Sequence, residues 1–396
     1  MNSCIRMKIE AETELMKIEP VTYAEIDLQA LAGNYRRLKA LMAPTVRMAA
    51  VIKADAYGHG AVRTARTALN EGASFLIVAR PEEAFELRLA GIAAPILLLG
   101  ALPPENAREA AEAGITLSVN GFDDAHELSS RLGGASVKVH LKVDTGMGRL
   151  GFSFNEFSAD ISDALRTVRS VASLPGVELE GLYTHFASAD AAEEETAFCL
   201  TQFDSFSRMI RILEKENLRP PICHCANSAA TLRFPQMHLD MCRVGIVQYG
   251  LRPSEFVDVA ALGFRPVMTL RSRIIYLKEV PAGFPISYGS IWKSHHPSRI
   301  ATVAVGYGDG YHRCLSNRGE MLLRGKRVPV VGRVCMDLTM IDVTSVPEAA
   351  VGDEVTVWGV EGSETLSADE VAAAAGTIGY EMTTGLNVRV PRIFKE

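Results

Sequence analysis

Between residues 45 and 250 the chain repeats one rhythm eight times: a short apolar or β-branched run, then a stretch of helical period. The runs are VRMAAVIK, SFLIVAR, PILLLG, ITLSV, VKVHLKVD, LEGLYTHF, ICHCAN and MCRVGIVQYG, with segments such as VRTARTALNEG and FDSFSRMIRILEKEN between them. Nearly continuous apolar runs suit strands buried on both faces, and strands alternating with helices run parallel. Eight such units close a barrel, so the rhythm predicts a (β/α)8 TIM barrel over residues 21–262. After residue 262 the runs VMTLRSRIIYLKEV, RIATVAVGYG, EMLLRGKRVPVVGRVCMDLTMIDV and DEVTVWGV are strand-like and separated by Gly, Pro and Asp turns. They predict a second, mainly β domain over residues 263–396. The early segment VTYAEIDL reads as a strand ahead of the first barrel helix, able to pair with either domain.

Residues 1–20, MNSCIRMKIEAETELMKIEP, mix charges of both signs and lack the apolar core of a secretory signal, so they read as an extension with internal starts at Met7 and Met16. A formal net charge of −6 offers no basic field to nucleic acid. No apolar run reaches the roughly 18 residues of a membrane span. Seven scattered cysteines form no disulfide framework, which points to the reducing cytoplasm, while the charge balance favours a small or neutral partner.

In such a barrel the catalytic groups stand where strands end and loops begin. There the sequence places Lys53 on strand one, Lys142 and Asp144 on strand five with Arg149 in the TGMGR loop, Thr184 and His185 on strand six, Asn227 and Ser228 on strand seven and Arg243 on strand eight. Singly, a strand-end lysine is ordinarily ion-paired and a histidine after an apolar run is ordinarily structural. The loops after strands seven and eight, NSAA and RVGI, suit a phosphate site. A desolvated lysine attacks an aldehyde, so a lysine on strand one opposite a phosphate site suggests pyridoxal 5'-phosphate. Arg243 would then face the pyridine nitrogen where other enzymes of this cofactor place a carboxylate.

Other motifs read as structural. Cys223-His224-Cys225 lacks a second Cys/His pair and alternates in a strand, so no metal is expected. His295-His296 reads as a solvated turn before Pro297. GYGDGY at 306–311 lacks the lysine and helix of a phosphate loop.

Taken together, AVIKADAYGHGA, KVDTGMGRLGF, LYTHFASAD, CANSAATL, RVGIVQYG, ISYGSIW, RIATVAVGYGDGY, GRVCMD and RVPRIF resemble alanine racemase, a fold-type III pyridoxal phosphate enzyme, from about residue 21 to the end. The resemblance implies that Lys53 carries the Schiff base and acts on one face of the substrate Cα, with Tyr288 as the base on the other. It implies that Tyr57, Ser228, Gly245, Ile246 and Tyr380 hold the phosphate beside the Asn227 loop, that Arg243 bonds the pyridine nitrogen, and that His185 links Tyr288 to Arg243. Arg149 and the backbone at Met336 would orient the phenolate or the substrate carboxylate, and Lys142 matches a lysine carbamylated in some members. Asp190, Arg313 and Arg333 would narrow the substrate corridor, with Tyr307 near the cofactor. Racemisation needs two groups of comparable basicity on opposite faces of Cα, which lysine and tyrosine are.

The resemblance further implies a head-to-tail homodimer in which Tyr288, Tyr307 and Met336 come from the partner, and a role in supplying D-alanine for peptidoglycan. The segment TTGLNVRVPR departs from the family pattern near Tyr380. Alternatives are a racemase for serine or a larger amino acid, and a non-catalytic cofactor carrier, which would lack the β domain and its tyrosine. The fold's decarboxylases place an acid at the pyridine nitrogen, against which Arg243 argues.

Overall fold

The eight apolar runs are parallel strands in the computed structural model, which describes residues 19–155, 157 and 160–396. The expected extension lies outside the described residues as far as residue 18. The strands are Arg47–Val51, Phe75–Val78, Ile96–Leu98, Ile115–Val119, Val137–Asp144, Val177–Tyr183, Ile222–His224 and Met241–Val244. Each ladders with the next from strand one to strand seven, and strand eight ladders with strand one. Every residue of Phe75–Val78 and of Ile96–Leu98 is buried, as a strand with a packed interior on one side and helices on the other requires. Between strands seven and eight there is no regular ladder. Single backbone bonds cross that seam, from Asp240 N–H to Cys223 O and from Arg243 N–H to Ala226 O.

Helices separate the strands, among them Ala61–Asn70, Pro81–Leu89, Phe122–Arg131, Ile161–Ala172 and Ala197–Lys215. Helix Leu28–Ala40 precedes strand one. It starts where Asp27, in extended conformation, accepts the Ala30 N–H on Oδ1 at 2.7 Å, leaving the preceding strand unable to continue.

The chain divides into two compact units, Asp27–Val267 and the described residues up to Ile26 together with Met268–Lys395. The early strand Tyr23–Asp27, whose partner the sequence leaves open, pairs antiparallel with Met268–Val280. The second unit's sheet runs in the spatial order Lys326–Pro329, Glu320–Leu323, Glu354–Glu361, Met268–Val280, Tyr23–Asp27, Arg392–Lys395. Strand Ser298–Val303 joins Met268–Val280 to Thr339–Asp342. Trp358 is fully buried at the centre of strand Glu354–Glu361.

Replacing Asp27 by alanine removes the cap of the first barrel helix. It is expected to lower stability by about 1 kcal/mol, read as a lower urea midpoint at unchanged slope.

Candidate functional site

Barrel strand one ends at Val51, and Lys53 opens a turn in which Ala54, Asp55, Ala56 and Tyr57 all have φ between 52° and 55°. Four consecutive left-handed residues with side chains cost about 1–2 kcal/mol each, so the surroundings must hold the turn in place. Glu83, at the start of helix Pro81–Leu89, accepts the Ala54 N–H at 2.6 Å on one oxygen and those of Ala79 and Arg80 at 2.8 and 2.9 Å on the other. Asp55 accepts the Ala61 N–H at 2.7 Å, and His59 Nδ1 lies 3.0 Å from the carbonyls of both Ala56 and Tyr57. His59 in turn stacks on Tyr249 with ring centres 4.1 Å apart.

The turn buries Tyr57 beside Lys53, whose Nζ is 5.8 Å from the Tyr57 ring centre. Lys53 is exposed at the open barrel mouth, yet the groups around it desolvate its amine. That desolvation and, next, the Arg149 cation lower its pKa against a weaker opposing pull from Glu83. A lowered lysine pKa is what attack on a carbonyl requires. Burial holds the Tyr57 phenol well above its ordinary range, so Tyr57 is a neutral hydrogen-bond donor.

Tyr57, Ser228 and Gly245 converge on one small space. Gly245 N–H donates to Ser228 Oγ at 2.9 Å, and a Cβ added at Gly245 would stand 3.0 Å from Tyr57 Oη and 3.5 Å from Ser228 Oγ. Two hydroxyls and a glycine therefore form a cradle that a side chain at residue 245 would fill. Ile246, buried, opens the 3-10 turn Ile246–Tyr249 beyond it. Asn227 serves the same loop by capping helix Ser228–Arg233, its Oδ1 accepting the Ala230 N–H at 3.0 Å.

Arg243 is buried on strand eight. Nη1 donates to His224 Nδ1 at 2.8 Å, and Nη2 reaches Thr184 O at 3.0 Å, Cys225 O at 3.0 Å and His185 Nδ1 at 3.1 Å. Burial, and after it Arg243, Arg149, Lys142 and Lys53, drive the His185 pKa well down, so its imidazole is neutral. Asp144 accepts the N–H groups of Gly146 at 2.9 Å and Gly148 at 3.1 Å, which shapes the loop carrying the exposed Arg149. Asp190, half-buried, follows strand six.

The second unit carries the other predicted residues. Tyr288 sits between Ser287 at φ 64° and Gly289 at φ 72° and is 72% exposed. Its loop is tied down by Ser287 Oγ, which donates to Arg333 O at 2.8 Å. Tyr307 N–H donates to Cys335 O at 3.0 Å and Gly308 N–H to Met336 O at 2.8 Å, so Tyr307 (43% exposed) and Met336 (53%) are presented from two stitched loops. Within GYGDGY, Asp309 accepts the Gly306 N–H at 2.8 Å, a tight turn that contains no helix. Tyr380 is half-buried on helix Gly379–Thr384, and Arg313 opens the 3-10 turn Arg313–Leu315.

His295 and His296 lie in an exposed turn, and among the described residues no group of three or more His, Cys, Asp or Glu could hold a metal. His224 points from ICHCAN to Arg243 and touches His140, whose Nδ1 is 2.8 Å from His224 Nε2. Neither His140 nor Glu83 is apparent as a site residue from sequence. The alternation in ICHCAN is the one available signal, since it turns His224 to the face opposite Cys223 and Cys225. Glu83 leaves none, because its role arises only where the loops after strands one and two meet.

A phosphate cradle, a lysine with a lowered pKa and a buried guanidinium within one barrel mouth fit a phosphorylated aldehyde with a ring nitrogen. The profile described as alanine racemase, N-terminal domain, matches residues 26–253, and that of the C-terminal domain matches residues 267–394. An alanine racemase of Desulfosudis oleivorans is 47% identical over 94% of this chain and 96% of its own length. A solved alanine racemase of Clostridium difficile superposes with a TM-score of 0.88 at 36% identity, covering 96% of this chain and 97% of that one. The alanine racemase of Bacillus anthracis with bound L-Ala-P superposes with a TM-score of 0.87 at 40% identity, covering 96% of both chains.

Lys142 supplies a test of the mouth's charge. Burial, then Arg149 and Arg243, pull it from 10.5 down to about 8, against a weaker pull from Asp144. Below pH 8 both folded and unfolded chains hold the proton, and the fold bears the full cost of the buried cation. Between about 8 and 10.5 only the unfolded chain holds it, so stability rises with pH across that window. Lys142→Met is expected to flatten that rise and to stabilise the protein at neutral pH by up to about 3 kcal/mol, measured by urea denaturation on either side of the window.

Proposed function

The chain belongs to the alanine racemase family and is an amino-acid isomerase, and from that premise we propose that it interconverts L- and D-alanine on pyridoxal 5'-phosphate between two bases, Lys53 and Tyr288. The observation that carries the cofactor is the cradle of Tyr57, Ser228 and Gly245 in the same barrel mouth as Lys53 and Arg243. When bound, the cofactor supplies a carbonyl that links to an amine and an electron-withdrawing ring that makes the Cα proton acidic.

Tyr57 and Ser228 would hold the phosphate through their hydroxyls, with the backbone at Gly245 and Ile246 and the Tyr380 phenol completing its shell. Asn227 keeps that loop in shape through its cap. Arg243 would hold the ring nitrogen as a donor, and because a guanidinium does not release its proton, that nitrogen would stay unprotonated. Lys53 Nζ takes or returns the Cα proton on one face and Tyr288 Oη on the other. Arg243 donates to His185 Nδ1, which leaves the hydrogen on His185 Nε2 free to bond the Tyr288 oxygen. Arg149 offers a cation to the substrate carboxylate, and Met336 and Tyr307, with Asp190, Arg313 and Arg333 further out, restrict the corridor to a small side chain. Alanine fits that restriction better than serine or a larger amino acid.

Tyr288 is too exposed in a single chain to act in a water-poor site, and Lys53 is open at its own barrel mouth. Both suit a homodimer in which the second unit of one subunit completes the barrel site of the other. D-alanine made in this way would serve peptidoglycan assembly in the cytoplasm, a reducing compartment that suits the six described free thiols. Among the described residues no helix is long and apolar enough to cross a membrane.

Exchange of the α-proton in deuterium oxide, run on alanine, serine and lysine side by side, is expected to be fastest with alanine. Lys53→Ala should abolish both exchange and the visible absorbance of the lysine-linked cofactor, whereas Tyr288→Phe should keep the absorbance and lose about 10²–10⁴-fold in racemisation. Gly245→Val should fill the cradle and weaken cofactor binding by at least about tenfold while leaving Lys53 in place. Wild-type protein that neither took up pyridoxal phosphate nor racemised alanine would overturn the reading.

A further inference from the structure

The contact between Arg243 and His224 dictates where every proton sits along a line of side chains through the barrel interior. A guanidinium has donors only, so His224 Nδ1, 2.8 Å from Arg243 Nη1, is an acceptor without hydrogen. An imidazole keeps at least one ring proton, which places the hydrogen of His224 on Nε2. That atom lies 2.8 Å from His140 Nδ1, which must therefore accept. The same rule puts the hydrogen of His140 on Nε2, 3.3 Å from Glu180 Oε2. Donors then point in one direction, from Arg243 through His224 and His140 to a carboxylate. Lys138 Nζ, 2.6 Å from Glu180 Oε1, closes the far end.

The backbone of strand six is built around the last link. Val139 pairs with Leu179 and His140 with Gly181, so Glu180 is the extra residue of a bulge, a device that re-aims a side chain. Its side chain is only 11% exposed. At Gly181 a Cβ would come within 2.5 Å of His140 Cγ and Nδ1, so no other residue leaves room for that ring. Tyr183, two residues on, stacks on His224 with ring planes 6° apart and fixes its orientation. Burial lowers both histidine pKa values, which agrees with neutral rings. Burial pushes Glu180 up, but the bonds from His140 and Lys138 prevail and hold it at about 2, an ionised acceptor.

We propose that Glu180 is a positioning residue: as the acceptor that ends a line whose proton order Arg243 dictates, it holds His140 and His224 in place and so keeps the guanidinium aimed at the cofactor's ring nitrogen. The last clause rests on the cofactor reading above; the proton arrangement does not.

The test is nitrogen NMR of the full chain labelled at histidine, with and without pyridoxal phosphate, on wild type, Glu180→Leu and Glu180→Gln. In the wild type at neutral pH, His140 and His224 are each expected to carry one hydrogen, on Nε2. Either ring doubly protonated, or protonated on Nδ1, overturns the proposal before any variant is made. Glu180→Gln keeps an acceptor oxygen and should retain both tautomers and cofactor affinity within about threefold. Glu180→Leu strands the His140 donor and should shift the His140 Nε2 resonance away from its hydrogen-bonded position and weaken cofactor binding by about tenfold or more. A Leu variant with the wild-type His140 resonance and wild-type affinity, or a Gln variant that loses either, also overturns it. If the Leu variant does not fold, the wild-type tautomers and the Gln variant decide. If wild type shows no cofactor absorbance, the cofactor reading fails, and the tautomers measured without cofactor still judge the relay.

Discussion

A guanidinium buried inside a barrel, hydrogen-bonded to carbonyls and imidazole nitrogens, is the constraint on which the site depends. Removing an ion from water costs several kcal/mol, which neutral acceptors offset only in part. Among the described residues Arg243 has no carboxylate as a bonded partner, and the mouth it faces also holds Lys53, Lys142 and Arg149. The barrel therefore stores an excess of positive charge that an anionic ligand relieves. Burial is the larger cause of the lowered Lys53 and Lys142 and of the neutral His185, and the Arg149 cation pushes all three further in the same direction.

The mouth is also mechanically prepared. The left-handed turn after Lys53 is unfavourable at every one of its four residues, and it persists because Glu83 bonds the Ala54 amide, His59 lies against the Ala56 and Tyr57 carbonyls, and the Asp55 side chain anchors the turn to the Ala61 N–H. Its consequence is local and chemical: a lysine and the tyrosine four residues later share one side of the mouth, with the tyrosine hydroxyl at the slot left by Gly245. Strain of this kind is retained where the geometry it produces is used.

The second unit meets a different demand. Its antiparallel sheet is an ordinary packed scaffold around residues such as Trp358, while Tyr288, Tyr307 and Met336 are held outward on loops tied by backbone bonds. Exposed aromatic and thioether groups on rigid loops suit a surface that another protein chain covers.

The sequence by itself determined the barrel, because eight apolar runs spaced by helical segments admit few other arrangements, and it located Lys53, His185, Ser228 and Arg243 at strand ends. It also showed that a second β unit follows, since the period of the pattern changes near residue 262. Only the tertiary structure decided that strand Tyr23–Asp27 pairs with Met268–Val280, because pairing is a long-range choice between two available edges. The hand of the turn at residues 54–57 likewise escapes sequence: alanine, aspartate and tyrosine do not prefer it, and distant partners impose it. The line from Arg243 to Glu180 is invisible for the same reason. His140, Glu180 and His224 sit on three neighbouring strands, and their contact depends on a one-residue bulge and a missing Cβ that no local period encodes.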